Sequence, residues 1–281
     1  MRWRVLGVGA SVLVQDTGRP GWAHLGVPRS GALDLPAAAL ANRLVGNGPF
    51  AACLEVMLGG LVAASDGACW IAVTGAPAPV IVDGRPRDFS APVRLPAGGE
   101  LRLGTPPRGL RSYVAVSGGI AVEPVLGSRS TDTLGHVGPP QVVVGDVLPI
   151  AGETRTPAAA DTPRPPMTGP LRVRAGPRAD RVAGDVGKLL CGTEFAVSPD
   201  SDRVGMRLVG KALPLAAGGE LPSEGMVLGA VQLPPDGQPV VFLADHPTTG
   251  GYPVVAVVDP ADLWQCAQLR PGEPVRFTRG R

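Results

Sequence analysis

At 281 residues the chain can bury one large core or two ordinary ones, built from Val, Leu and Ala because aromatic residues are only 4%. A formal charge of +2 without a dense basic block argues against a nucleic-acid partner, and no apolar run approaches the ~20 residues needed to span a bilayer. The 40 glycines and 32 prolines argue against a mainly helical protein, since neither residue suits a helix interior.

The first fourteen residues carry arginines and then a weakly apolar run broken by Gly7 and Gly9. They do not read as a signal peptide. Strands are predicted at Trp3–Leu6, Ser11–Gln15, Leu61–Ala64, Trp70–Thr74, Val80–Val82, Glu100–Leu103 and Arg111–Val116, with Asp83-Gly84 as a hairpin turn. A helix is predicted over Leu33–Leu44, with Asp34 placed to cap it and Pro36 in its first turn. Another strand is expected to begin near Val142 and run through Val147. Residues 154–170 hold five prolines among small and polar neighbours and read as a linker or long surface loop. They divide the chain into 1–153 and 171–281. Beyond them, strands are predicted at Leu171–Arg174, Glu194–Val197, Val204–Leu208, Met226–Gln232, Pro239–Leu243, Val254–Val258 and Val275–Thr278, with short helices over Arg178–Leu190 and Pro260–Leu269. Turn-rich strands with few helices predict closed or nearly closed barrels, one in each part.

Several chemistries are excluded. Gly187-Lys188 is not a Walker A sequence, Gly7-Val-Gly-Ala-Ser-Val12 lacks the third glycine of a dinucleotide loop, and no GxSxG elbow occurs. His24, His136 and His246 show no metal-ligand spacing, so no metal site is expected. Cys53, Cys69, Cys191 and Cys266 are isolated and read as reduced core thiols, which fits a cytoplasmic protein. Lys188 and Lys211, the two lysines, lack the methionine-flanked context of a biotinylated residue. ATP or biotin, if the reaction uses them, sits on another polypeptide.

Four polar clusters remain. Asp16-Thr-Gly-Arg-Pro-Gly21 reads either as a turn in which Asp16 caps backbone amides or as an anion site using Arg19. In Pro28-Arg-Ser-Gly-Ala-Leu-Asp34, Arg29 and Ser30 stand near a helix N-terminus, where an anion is favoured, unless Ser30 or Asp34 simply caps the helix. Ser128-Arg-Ser-Thr-Asp132 sets Arg129 between hydroxyls, a pattern suited to carboxylate or phosphate, with Asp132 for protons or metal. Asp245-His-Pro-Thr-Thr-Gly-Gly-Tyr252 supplies Thr248, Thr249 and the amides of Gly250 and Gly251 for an oxyanion or carboxylate, beside Tyr252. There Asp245 and Thr249 are candidate catalytic groups, His246 reads either as a second acid–base group or as a side chain turned to solvent before Pro247, and Glu224 is expected at the same mouth. Arg203, next to Asp202, reads as a weaker anion-binding candidate or a surface ion pair.

These stretches, with Ala41-Asn42, Val45-Gly-Asn47, Leu54-Glu55, Gly118-Gly119, Ser201-Asp-Arg-Val-Gly205, Gly229-Ala-Val-Gln232 and Pro235-Asp-Gly237, run collinearly through nearly the whole chain. Together they resemble the 5-oxoprolinase C-subunit family, also described as allophanate hydrolase subunit 2 or the biotin-dependent carboxyltransferase family. The resemblance implies tandem cyclophilin-like β-barrels and a smaller partner, the B-subunit. With a third subunit it implies an ATP-dependent 5-oxoprolinase that opens a cyclic amide to glutamate. Related domains of urea carboxylase receive carboxybiotin and carboxylate urea, and other members antagonise a kinase inhibitor by binding a B-subunit homologue. Many relatives carry lysine directly after Gly-Gly-Tyr-Pro, where this chain has Val254. That lowers the carboxyltransferase expectation, since valine cannot replace a point charge.

Overall fold

The computed structural model describes residues 1–152, 157 and 169–280. Nearly all of the proline-rich stretch 154–170 lies outside the described residues. The chain is mainly β with a few short helices and forms two compact units. The first comprises 1–19, 30–132 and 136–165; the second comprises 20–29, 133–135 and 166–281.

The first unit holds β1 (Arg2–Gly7), β2 (Ser11–Gln15), α1 (Leu35–Leu44), β3 (Cys53–Met57), β4 (Val62–Ser65), β5 (Cys69–Gly75), β6 (Val80–Val82), β7 (Arg85–Arg87), β8 (Val93–Leu95), β9 (Glu100–Leu103), β10 (Arg111–Val116) and β11 (Val147–Pro149). They form a six-stranded sheet ordered β11-β1-β4-β9-β6-β7 and a five-stranded sheet ordered β2-β3-β10-β5-β8. Strand alternation turns Trp3, Val5, Leu101 and Leu103 of one sheet toward Val12, Val14, Leu54, Ile71 and Val114 of the other, in one core. The opposite face of the five-stranded sheet is covered by α1, where Ala38, Ala41 and Leu44 pack on Ala72, Tyr113 and Ala115. Covered on both faces, β10 is buried at all six residues.

The Asp34 carboxylate caps α1 by accepting from the Ala37 amide at 2.9 Å, with proline in the first turn. Asp83 and Gly84, with φ of 50° and 72°, make the predicted hairpin between β6 and β7. The glycine excess has a packing cause as well. Gly59 has φ +75°, and a Cβ there would overlap the carbonyl oxygen of Gly104, which closes that position to any other residue.

The second unit holds β12 (Leu171–Ala175), α2 (Val186–Cys191), β13 (Phe195–Val197), β14 (Gly205–Gly210), β15 (Glu224–Gly225), β16 (Ala230–Gln232), β17 (Val240–Phe242), β18 (Thr249–Gly250), β19 (Val254–Val258), α3 (Leu263–Cys266), β20 (Pro274–Val275) and β21 (Phe277–Arg279). Eight of the strands form one sheet, ordered β20-β13-β14-β17-β16-β19-β12-β21. Phe195 near one end of that order meets Phe277 at the other, edge to face with ring centroids 5.9 Å apart. The sheet therefore curls into a nearly closed barrel.

Sequence periodicity placed most strands and missed several local features. The expected strand Val275–Thr278 changes partners at Arg276, with Val275 pairing β13 and Phe277–Arg279 running parallel to β12. The helix expected over Arg178–Leu190 breaks at Gly184 into a 3-10 turn, Ala179–Arg181, and α2, capped by Asp185. The one expected over Pro260–Leu269 reduces to a 3-10 turn and the four residues of α3. The strand expected from Val142 begins only at Val147, because the Val143 and Asp146 backbones close a turn. Cys53–Met57 is a strand that periodicity missed, since Glu55 interrupts its apolar run.

Two predictions follow from packing and charge. Gly59→Ala is expected to destabilise the first unit by about 2 kcal/mol or more, measured by chemical denaturation. In the second unit, the Asp262 carboxylate accepts from the Arg172 amide and guanidinium at 2.8–2.9 Å, and the guanidinium holds its pKa below the usual range. The unfolded chain therefore protonates Asp262 first, so the stabilisation is full at neutral pH and is lost as pH falls through the folded value. Asp262→Asn should lower the melting temperature at pH 7, and the difference from the parent should shrink as pH falls below the usual carboxylate range and vanish only below the lowered folded value.

Candidate functional site

In the first unit the polar residues gather on Asp16, at the end of β2. Its buried carboxylate accepts from the Ser128 hydroxyl at 2.6 Å, the Ser130 hydroxyl at 2.6 Å, and the Gly18 and Arg129 amides at 2.7 Å. The Ser130 hydroxyl in turn accepts from the Asp16 amide at 3.0 Å. Arg19, 1% exposed, donates to the Ser130 carbonyl, and the Arg129 guanidinium donates to the Val122 carbonyl at 2.7 Å. Asp16 thus caps amides, as one reading of its turn expected. The hydroxyls of Ser128 and Ser130 are engaged by a carboxylate of this same chain. Asp132 is buried where its amide donates to the Val137 carbonyl.

Ser30 is buried with φ +55° and does not cap α1; Asp34 does. A polar group that sequence reasoning did not single out for chemistry fixes this turn. Glu55 accepts from the Tyr113 hydroxyl at 2.8 Å and from the Leu33 amide at 3.1 Å, with Arg111 at 3.5 Å. The Tyr113 oxygen accepts from the Asp34 amide at 2.8 Å, and burial beside the Glu55 charge pushes the phenol pKa well up. A carboxylate in mid-strand was the available signal.

In the second unit Asp245 is fully buried. One of its oxygens accepts from Arg203 Nε at 2.9 Å, from the Thr133 amide at 3.0 Å and from the Thr133 hydroxyl at 2.7 Å; the other accepts from Arg203 Nη2 at 3.2 Å. Arg203 is therefore no surface ion pair with Asp202, whose carboxylate instead accepts from the Val204 and Gly205 amides. His246 is also buried, which excludes the reading that turned it to solvent. Its Nδ1 lies 2.7 Å from the Pro247 carbonyl and its ring 6.2 Å from that of Phe242. The sequence carried no sign of Thr133 as a partner.

From this anchor the family loop runs outward. Thr249 is exposed, and Thr249–Gly250 pairs antiparallel with Glu224–Gly225, so Glu224 does stand beside the loop. The Thr248 carbonyl accepts from the Met226 amide at 2.9 Å. Glu224 accepts from Arg178 Nε at 2.9 Å, which holds its carboxyl below the usual pKa range. Gly251 and the half-exposed Tyr252 border an open cleft of about 620 Å³. Val254 points into an apolar cluster with Met226, Ala230, Val240 and Phe242. Arg29 is exposed and belongs to the short segment 20–29 of this unit. Among the described residues no group of three His, Cys, Asp or Glu is arranged to hold a metal, and no helix is long and apolar enough to cross a membrane.

Removing one partner from a buried ion pair leaves the other charge uncompensated. Arg203→Met should therefore destabilise the second unit by about 3–5 kcal/mol. Combined with Asp245→Leu, the loss should be smaller than the sum of the two single losses, read as a double-mutant cycle in denaturant.

Comparison with known proteins places this geometry. The chain is 37% identical to the 5-oxoprolinase C-subunit of Escherichia coli over 98% of its own length and 90% of that protein. The crystal structure of TTHA0988 superposes with a TM-score of 0.90 at 41% identity, over 99% of this chain and 55% of that one. The Kluyveromyces lactis urea amidolyase superposes with a TM-score of 0.92 at 30% identity, over 100% of this chain and 19% of that one. The chain thus spans nearly all of one relative and only a part of the two longer solved proteins. With residues 25–279 matching the family described as carboxyltransferase domain, subdomain A and B, the chain belongs to that family.

Proposed function

We propose that this chain is the C-subunit of an ATP-dependent 5-oxoprolinase, acting with a B-subunit partner and a third subunit to open 5-oxoproline to glutamate. The observation that carries this reading is the 37% identity, over nearly the full length of both chains, to a protein named as the C-subunit of 5-oxoprolinase. A partner is supported by the occurrence of the same fold both in a separate subunit and as 55% or 19% of longer chains. Those larger proteins join it covalently to further sequence.

The exposed Thr249 hydroxyl and the Gly251 amide are the proposed contacts for the lactam carbonyl, where hydrogen-bond donors stabilise developing negative charge. Asp245 acts in this reading as a positioning residue, holding Arg203 and Thr133 behind the loop. Neither the α1 N-terminus nor the Ser128–Ser130 turn is an open seat for a triphosphate. The first turn of α1 is closed by Asp34, and the Ser128 and Ser130 hydroxyls are committed to Asp16. We therefore assign ATP to a partner subunit.

Carboxyl transfer from biotin to a urea-like amide is the second reading, favoured by the TM-score of 0.92 to urea amidolyase. It is weakened by Val254, an apolar side chain packed at the position where the resemblance implies lysine in many relatives. Sequestration of a B-subunit homologue without catalysis is the non-enzymatic alternative.

Reconstitution with its partner subunits decides among them. ATP hydrolysis is expected to depend on 5-oxoproline, with glutamate released in proportion to phosphate. Absence of that coupling with every subunit present rejects the reading. Carboxylation of urea by added carboxybiotin would favour the second.

A further inference from the structure

The cleft beside Tyr252 contains an arginine that neither the sequence patterns nor the family motifs singled out. Arg181 lines it, together with Glu220 and an apolar wall that includes Leu221 and Leu233. The 3-10 turn bearing Arg181 is fastened to the facing strand-like segment: the Arg181 carbonyl accepts from the Ala216 amide at 2.8 Å, and Val182 bridges Leu215. Its guanidinium is laid across Gly218, where any Cβ would collide with Nη1. Among the described residues that guanidinium donates to a single acceptor, the Gly219 carbonyl at 3.2 Å.

The contrast with neighbouring arginines is chemical. Arg178 is paired with Glu224 and Arg203 with Asp245. Arg181 is half-buried and charged, its charge acts on Glu224 through space, and among the described residues most of its five N–H groups have no protein acceptor. A guanidinium fork of this kind binds a carboxylate in bidentate fashion. Glu220 supplies an acceptor on the same cleft, suited to an N–H group. The Tyr252 ring and the leucines offer apolar surface to a small flat body.

We propose that this cleft binds a small carboxylic acid bearing an adjacent amide N–H, with Arg181 on the carboxylate and Glu220 on the N–H. In choosing 5-oxoproline as that acid, the inference rests on the function proposed above. The cleft's recognition chemistry rests on its own residues.

The test is calorimetric titration of the full chain with 5-oxoproline, with 2-pyrrolidinone, which lacks the carboxylate, and with cyclopentanecarboxylate, which lacks the N–H. 5-Oxoproline is expected to bind at least tenfold more tightly than either fragment. Arg181→Gln should weaken it at least tenfold while leaving 2-pyrrolidinone unchanged, Arg181→Lys should fall between, and Glu220→Gln should leave cyclopentanecarboxylate unchanged. Equal binding of the acid by the parent, Arg181→Gln and Arg181→Lys overturns the assignment, as does equal binding of all three compounds. Should Arg181→Gln fail to fold, the Arg181→Lys and Glu220→Gln titrations carry the same decision. The two proposals fail separately. A reconstituted complex that turns over 5-oxoproline with an unchanged KM in Arg181→Lys and Arg181→Gln keeps the function and rejects the cleft. Arg181-dependent binding of N-carbamoylglycine, with no 5-oxoproline-dependent ATP hydrolysis, keeps the cleft and rejects the function.

Discussion

A buried carboxylate must be given enough donors to replace water, and two such carboxylates organise this protein. Asp16 collects two hydroxyls and two amides in the first unit; Asp245 collects a guanidinium and both polar groups of Thr133 in the second. Each fixes loop residues more than a hundred positions away in sequence. Most donors come from glycine-containing turns, whose backbone amides would otherwise have to be satisfied by water. The polar loops are consequently shaped by internal charge as much as by any ligand.

That arrangement divides the polar residues by whether their donors are already used. Ser128, Ser130, Arg203 and Arg178 are engaged with carboxylates of this chain. Thr249 and Tyr252 are exposed on the loop that Asp245 anchors. A rigid base with an exposed rim is the usual way for a β scaffold to present a binding loop. Val254 fits the same division, since it contributes to packing behind the loop.

The alternation of strands and the helix that begins after Asp34 were legible because they depend on local periodicity and capping. The polar clusters were legible as clusters, and Asp16 as an amide cap. Their internal pairings were not. Nothing in Ser201-Asp-Arg-Val-Gly205 says that Arg203 turns from its neighbour Asp202 toward Asp245, because the pairing is made by tertiary packing. Glu55 illustrates the same limit from the other side: it concealed a strand by breaking its apolar pattern, although Tyr113 and Arg111 make it a satisfied group once the sheet forms. Arg181 belonged to a segment read as helix, and only the break at Gly184 sets it on the cleft wall.

The change of partner at Arg276 has a consequence for how the second unit is made. Residues 274–279 supply both terminal strands in the order of the eight-stranded sheet, one beside β13 and the other beside β12. Until residue 279 has left the ribosome, neither end of that sheet has its last strand, and the Phe195 ring lacks its neighbour Phe277. Synthesis proceeds at about 5–20 residues per second, so the terminal strands follow Phe195 by several seconds. Any strands paired during that interval leave both edges of the sheet uncapped, so closure of the barrel depends on the last residues of this sheet to be made.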